Sequence, residues 1–387
     1  MNALYVLNDQ TLFETESSTR VVMREHARQI GILHILSPGN AKKIEHEDLG
    51  DGKALVIHSM GYSRSLLFYN LKRRIRKLIK KENIEIVSAQ DPFEYGWMAM
   101  KAVKGTSAKL HINVQTDVLS PWFIRGNITR ISHMRMPLSN RLRRMVVDRI
   151  LLQADGIRVP SLRVANSLSA RYGKKIVLPT IMPPQTSGHL KESITISARA
   201  FTFTLLTVGP LEPDKRIQDI LHALAYAHRL YPSVGLVIVG EGSEMKNIQE
   251  KVVRLGLTQN VLFMGNQIDP IGLMQSADVY IQANAYEAYS SMLVHAALAR
   301  TPIISTDVGL VGEVFKGYVD LLSAPPGDPM QLSTHITGLI EDIAMRRNYV
   351  INAEKAAQDH LAAVHASPKN VADDLRECLK SQKPKAV

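Results

Sequence analysis

Cysteine is all but missing from this chain. Of 387 residues only Cys378 is one, so no internal disulfide is available, and the usage fits a reducing compartment such as the cytosol. No apolar run approaches the roughly 18 residues that span a bilayer. The opening residues MNALYVL lack the charged, apolar and small-residue succession of a signal peptide. None of the thirteen histidines lies three or four residues from another, which argues against a helical metal site. Neither a solenoid-type repeat nor a low-complexity tract is apparent.

What is present is the composition of a globular protein, with 45% hydrophobic residues and a mean hydropathy of −0.05. The length suits two domains, each with its own core. The net charge of +11 is unevenly spread: residues 1–190 carry 29 Lys and Arg against 15 Asp and Glu (+14), residues 191–387 carry 18 against 21 (−3). The two halves therefore face different partners or surroundings.

Short apolar runs alternate with helical patterns in both halves. Strands are expected at Leu4–Leu7, Ile32–Leu36, Ala54–Ile57, Ile84–Ala89, Leu110–Val114, Gly156–Val159 and Ile176–Leu178. After a polar, proline-containing stretch (Pro183–Ser197) the alternation restarts, with strands at Phe203–Val208, Val234–Val239, Val261–Met264, Val279–Gln282, Ile303–Ser305 and Val319–Leu322. Helices are expected between them, among them Ser63–Lys81, Ser291–Arg300 and Leu310–Phe315. Continuous Val/Ile/Leu strands separated by helices indicate parallel sheets covered on both faces. The expected division is a first domain over residues 1–183, a linker over 184–198, a second domain over 199–351 and a helical tail over 352–387.

The most informative stretch is YEAYSSMLVHAALARTPIISTD (Tyr286–Asp307). A strand, VYIQA, arrives first; Ser290 and Ser291 could cap the helix that follows, and Pro302 stops it. A helix N-terminus at the carboxyl end of a parallel sheet is a ready anion site, though an ordinary well-capped βαβ unit reads the same way. Upstream, VGPLEPDKR places Gly209 and Lys215 between a strand and a helix, where the lysine either meets a phosphate or is a surface residue after a turn. IVGEGSEM carries Gly240 and Gly242 but has Met245 where a dinucleotide fingerprint has its third glycine. LFMGNQI ends a strand in Gly265.

Taken together, these stretches resemble the family 4 (group 1) retaining glycosyltransferases, enzymes of the GT-B fold, with two Rossmann-like domains and a cleft between them. Glu287, Tyr289, Ala296, Ala297, Ala299, Pro302, Thr306, Asp307 and Gly309 fit that family's donor-site segment, while His295 stands where a second Glu is usual. The resemblance implies transfer of a sugar from a nucleotide-sugar to an acceptor hydroxyl, in cell-envelope or polysaccharide synthesis and without a metal or other cofactor. It makes Glu287 the residue for donor-sugar hydroxyls. Lys215, Gly209, Gly240, Gly265, Ser290, Ser291, Met292 and His295 would surround the donor. It also places Gln115 and Asp117 on the acceptor side, and Ser17 and Arg20 in an N-terminal phosphate-side loop. Four positions depart from the pattern: Glu16 for Gly, Gln115 for His, Pro210 for Arg and His295 for Glu. A catalytically silent homologue acting as a binding or scaffold subunit is therefore the alternative.

Two basic amphipathic helices, KRRIRKLIKK (Lys72–Lys81) and NRLRRMVVDR (Asn140–Arg149), suit docking on anionic lipid beside a lipid-linked or glycan acceptor, or a solvated face. No nucleic-acid motif accompanies them. The expected location is cytoplasmic, or peripheral on the inner face of the membrane.

Overall fold

The computed structural model describes residues 1–15, 17–38, 42–61, 67–120, 123, 138–172, 176–177, 201–267, 270–366 and 371–380. It divides into two compact units. One comprises Met1–Leu119, Met136–Ile181 and Ser367–Val387, the other Ser120–Arg135 and Met182–Ala366. The expected linker and Glu16 lie outside the described residues.

The first unit is built on eight strands: β1 (Asn2–Val6), β2 (Ile32–Ser37), β3 (Lys42–Asp48), β4 (Ala54–Met60), β5 (Ile86–Ala89), β6 (Lys109–Asn113), β7 (Gly156–Arg158) and β8 (Ile176–Val177). Their spatial order is β3-β4-β2-β1-β5-β6-β7-β8, parallel except for β3. Leu4, Leu33, Ile35, Leu55, Ile57 and Ile86 are fully buried, as strands covered on both faces require. Helices α1 (Ser18–Ile30), α2 (Leu67–Lys81), α3 (Glu94–Val103), α4 (Leu138–Gln153) and α5 (Leu162–Tyr172) accompany the sheet. Ser17 caps α1 by accepting from the Arg20 backbone N–H at 3.2 Å, and Gly31 ends it with φ of +118°.

The strand β3 escaped the sequence reading because KKIEHED contains no apolar run. Its signal is the following turn, where Gly50, Asp51 and Gly52 all have positive φ and close an antiparallel hairpin onto β4. The charged residues keep this edge from pairing with another chain. They also engage Arg20, whose guanidinium meets Glu45 at 2.7 Å, Glu47 at 3.3 Å and the Leu12 carbonyl at 3.3 Å.

Leu71, Ile75, Leu78 and Ile79 of α2 are buried, so its apolar stripe faces its own unit and not a bilayer. Among the described positions of α2, Arg73, Arg76, Lys77 and Lys80 are exposed.

The second unit repeats the plan with six parallel strands: β9 (Phe203–Val208), β10 (Val234–Val239), β11 (Val261–Gly265), β12 (Val279–Ile281), β13 (Ile303–Thr306) and β14 (Leu322–Ala324). Their order, β11-β10-β9-β12-β13-β14, reverses direction between β9 and β12. The helices are α6 (Ile217–His228), α7 (Met245–Arg254), α8 (Pro270–Gln275), α9 (Ser291–Leu298), α10 (Pro329–Glu341) and α11 (Ile343–Ala366). The helix expected at Leu310–Phe315 is instead a series of turns with a Val311–Phe315 bridge, because Gly309 and Gly312 take positive φ. The strand expected at Val319–Leu322 starts only at Leu322, after Tyr318 turns the chain with φ of +62°.

Helix α11 runs through residue 352, and the chain then supplies α12 (Val371–Lys380) to the first unit. Val371, Ala372, Leu375 and Cys378 of α12 join the core formed by α1 and the strands of that unit. Gly156 makes room for them: a Cβ there would stand 2.9 Å from Cys378 Sγ and 3.2 Å from His111 Cδ2. Burial pushes the Cys378 thiol up to about 12, so it is inert in the native state.

Gly156→Ala is expected to cost about 1–3 kcal/mol by overpacking, read by urea denaturation. The same variant should expose Cys378, the chain's single thiol, to a thiol reagent under native conditions; an unreactive thiol and unchanged stability would contradict this packing. Acid should act through buried histidines. His26 is lowered to about 4 by burial and then by the Arg158 charge, and His58 to about 4 by burial and then by His34 and Arg74. Between 6.5 and about 4 the unfolded chain binds more protons, so this stability is complete above 6.5 and falls as pH drops through the window. A melting temperature independent of pH across that range would refute it.

Candidate functional site

The crossovers from β9 and β12 leave in opposite directions, and such a switch point opens a crevice at the carboxyl ends of the strands. A cleft of about 420 Å³ lies there. Its walls are the end of β9 with its loop (Thr207–Leu211), Lys215, the end of β12 with Gln282, Asn284 and Glu287, and Tyr289 through Met292 at the start of α9.

The β9 and β10 loops touch. The Gly209 N–H donates to the Val239 carbonyl at 3.0 Å, Leu211 N–H to the Glu241 carbonyl at 2.9 Å, and Gly240 N–H to the Gly265 carbonyl at 2.8 Å. A Cβ on Gly240 would fall 1.9 Å from the Gly209 oxygen, and one on Gly242 2.4 Å from the Leu211 oxygen. These glycines thus let protein backbones approach one another. Gly240 and Gly265 are not lining residues of the cleft, whereas Gly209 is.

Lys215 closes a 3-10 turn, Pro213–Lys215, after which Arg216 is left-handed and α6 begins. Its ammonium lies 2.7 Å from Glu287 Oε2 and 3.7 Å from Asp214 Oδ2. Asn284 Nδ2 donates to the same Glu287 oxygen at 3.0 Å, and the Asn284 carbonyl accepts from Thr306 Oγ1 at 2.7 Å. Lys215 is the single cation among the described lining residues; Pro210, also in the wall, adds neither charge nor N–H. An ammonium has three donors, so two remain for a ligand beside Glu287.

At the head of α9, Ser290 holds φ of +71°, a strained conformation for a residue with a side chain. Gly309 permits it, since a Cβ there would meet Ser290 Oγ at 2.4 Å, and Leu310 N–H fixes the loop by donating to the Tyr289 carbonyl at 3.1 Å. Ser290 occupies the N-cap position, but its side chain does not cap, contrary to the sequence expectation. Its Oγ is buried at the cleft wall with no hydrogen-bond partner among the described residues. The first-turn N–H groups of Ser291 and Met292 have no intrahelical acceptor. A buried hydroxyl and backbone N–H groups at a helix N-terminus form a cradle for an anion.

His295 lies one turn further along α9 and does not line the cleft. Burial lowers its pKa, keeping the ring neutral, and its Nδ1 is buried without a partner among the described residues. Tyr286 and Tyr289 are pushed up to about 12, first by burial and then by nearby carboxylates, so both stay protonated. Tyr289 OH meets His360 Nε2 at 3.0 Å. Gln282, absent from the sequence-derived set, lines the cleft and is fixed by Tyr280 OH at 3.3 Å and Ser305 Oγ at 3.0 Å. The polar residue closing an otherwise apolar strand was its signal.

The remaining candidates belong to the first unit. Gln115 is exposed just beyond β6, and Asp117 Oδ1 accepts from the Leu119 N–H at 3.2 Å. Ser17 is committed to capping α1, and Arg20 to the carboxylates of β3.

Residues 198–356 match the family described as Glycosyl transferases group 1, and residues 16–179 match Glycosyltransferase Family 4. The chain is 26% identical over 366 residues to a phosphatidyl-myo-inositol mannosyltransferase of Mycobacterium leprae, covering 89% of this chain and 88% of that one. Among solved structures it is similar to sucrose-phosphate synthase from Thermosynechococcus elongatus, with a TM-score of 0.69, 17% identity and coverage of 94% and 96%. It is also similar to Anabaena HepE in complex with UDP and glucose, with a TM-score of 0.68, 16% identity and coverage of 98% and 99%. These likenesses establish the GT-B fold.

Gly240→Ala would drive a methyl group into the Gly209 carbonyl. We expect a loss of roughly 2–4 kcal/mol, measured by chemical denaturation, with weakened ligand binding in the cleft; a variant as stable as the parent would disprove the contact.

Proposed function

With a family 4 domain in its first half and a group 1 domain in its second, the chain is a glycosyltransferase of the GT-B fold, and we propose that it moves a sugar from a nucleotide-sugar to an acceptor hydroxyl with retention. The observation that carries this reading is the pairing, in one cleft, of an anion cradle with a carboxylate. Ser290 Oγ, the Ser291 and Met292 N–H groups and Lys215 surround a place for a diphosphate, and Glu287 stands 2.7 Å from that lysine.

The chemistry follows from charge. As the glycosidic bond to the diphosphate breaks, negative charge grows on the leaving phosphate oxygen. Preorganised N–H donors, a hydroxyl and an ammonium stabilise that charge without reorganising. Glu287, already oriented by Lys215 and Asn284, accepts hydrogen bonds from hydroxyls of the donor sugar and fixes its reacting face. The reaction so described runs without a bound metal.

For the acceptor we propose a glycan or lipid-linked hydroxyl in cell-envelope synthesis, bound on the side of Gln115 and Asp117. Support comes from the full-length relative that is a phosphatidyl-myo-inositol mannosyltransferase, and from the +14 charge of residues 1–190. Any membrane contact through α2 would be electrostatic, since its buried apolar residues belong to the core.

One observation favours a second reading, a silent homologue that binds ligands or partners. Lys215, the one cation among the described lining residues, is already paired with a carboxylate, and His295 stands off the cleft wall.

A thermal-shift series with UDP, GDP, ADP and their common sugar conjugates separates the readings, because a ligand that binds the folded state raises the melting temperature. The transferase reading expects a shift with one nucleotide, weakened about 10–100-fold in affinity by Lys215→Met. It expects Glu287→Gln to slow transfer about 100-fold while nucleotide binding persists. No shift with any nucleotide at millimolar concentration would leave the silent homologue.

A further inference from the structure

Buried parallel strands are normally apolar on both faces, yet the paired strands β5 and β6 carry two polar rows on one face. Ser88 is in register with His111, and the next residues facing the same way are Gln90 and Asn113. Helix α12 covers this face with Asp374, a carboxylate only 3% exposed. The contacts form one continuous line. Asp374 Oδ2 lies 3.2 Å from His111 Nε2, and His111 Nδ1 lies 2.8 Å from Ser88 Oγ. Ser88 Oγ is 3.1 Å from Gln90 Nε2, and Gln90 Oε1 is 2.8 Å from Asn113 Nδ2.

With a neutral imidazole, the direction of every bond in this line follows from one end. A carboxylate only accepts, so His111 Nε2 must donate to Asp374. Arg158, 6% exposed with its Nε 3.8 Å from Asp374 Oδ2, faces the same carboxylate. In the neutral tautomer with its proton on Nε2 the ring accepts at Nδ1, and the Ser88 hydroxyl donates there. Its oxygen is then free to accept, and the group that reaches it is the amide nitrogen of Gln90. Gln90 Oε1 in turn accepts from Asn113. The line ends with Asn113 Oδ1, an acceptor with no partner among the described residues, at the carboxyl end of β6, two residues before Gln115.

We propose that Asp374, from the far end of the chain, is a positioning residue for the acceptor substrate: through His111 and Ser88 it sets the two amides so that Asn113 Oδ1 receives a substrate hydroxyl. The proposal rests on the transferase reading for its substrate, though not for the relay itself. A site that ends in an oriented acceptor selects partners that bring an O–H. Reversing the line would present an N–H there and favour an anion instead.

Two measurements test it on the full chain. The first needs no activity: imidazole ¹⁵N resonances of His111, assigned with His111→Asn, should show a neutral ring with the proton on Nε2. Asp374→Asn, which keeps an acceptor oxygen, should preserve that tautomer, and Asp374→Ala should lose it; both remove the same charge, so the comparison isolates the hydrogen bond. Ser88→Ala should shift the side-chain amide resonances of Gln90 and Asn113. A charged ring, a proton on Nδ1, or unmoved amides would overturn the relay. The second is kinetic, with the nucleotide-sugar that raises the melting temperature as donor and phosphatidylinositol in phosphatidylcholine vesicles as acceptor probe. Ser88→Ala should raise the acceptor KM about tenfold while kcat falls less than twofold. Parallel loss of kcat with unchanged KM would reject the positioning role. If no transfer occurs with the parent protein, the transferase reading fails on that probe, and the resonances alone decide the relay.

Discussion

Strand polarity governs this molecule. In a parallel sheet covered on both faces, backbone groups are satisfied along the strands and side chains must be apolar, so polar chemistry collects where the strands end. Both units obey this, with one set of candidate residues at the carboxyl ends of β5 and β6 and the other at those of β9 and β12. The placement follows from where the chain has freedom to carry a charge.

In the second unit, reaching that end demands tight backbone packing. The β9 and β10 loops meet at Gly209 and Gly240, and the loop after β13 passes Ser290 at Gly309. The first contact lets two backbones meet, and the second leaves room for Ser290 Oγ at the cleft wall. The strain in Ser290 is held by the same contacts. A site made of donors and Lys215 depends on such rigidity, because flexible donors would lose their advantage over water.

Much of this was legible in the residues. The Val/Ile/Leu runs and their spacing revealed both sheets, and the stretch from Tyr286 to Asp307 led to the cleft through Glu287, Ser290, Ser291 and Met292. Strand β3 was hidden because its stability comes from pairing and ion pairs with Arg20 and Arg24, not from burial of its own side chains. The helix expected at Leu310–Phe315 failed because two glycines use positive φ, which a periodicity of apolar residues does not register. Gly240 and His295 look like ligand contacts by position; only three dimensions show one packing against Gly209 and the other off the wall. The line from Asp374 to Asn113 joins residues 261 apart in sequence (374 minus 113), a separation no local pattern carries.

The return of α12 to the first unit has a bearing on synthesis. Domains generally fold as units from the N-terminus while the ribosome is still at work. Here the first unit lacks Val371, Leu375 and Cys378 from its core until the second unit has been made in full. The unit that starts first is thus finished last, leaving an apolar seam open during elongation. Exchange of halves between related chains meets the same constraint. A transplanted N-terminal half needs its own terminal helix to travel with it, or a foreign helix must fill the space beside Gly156.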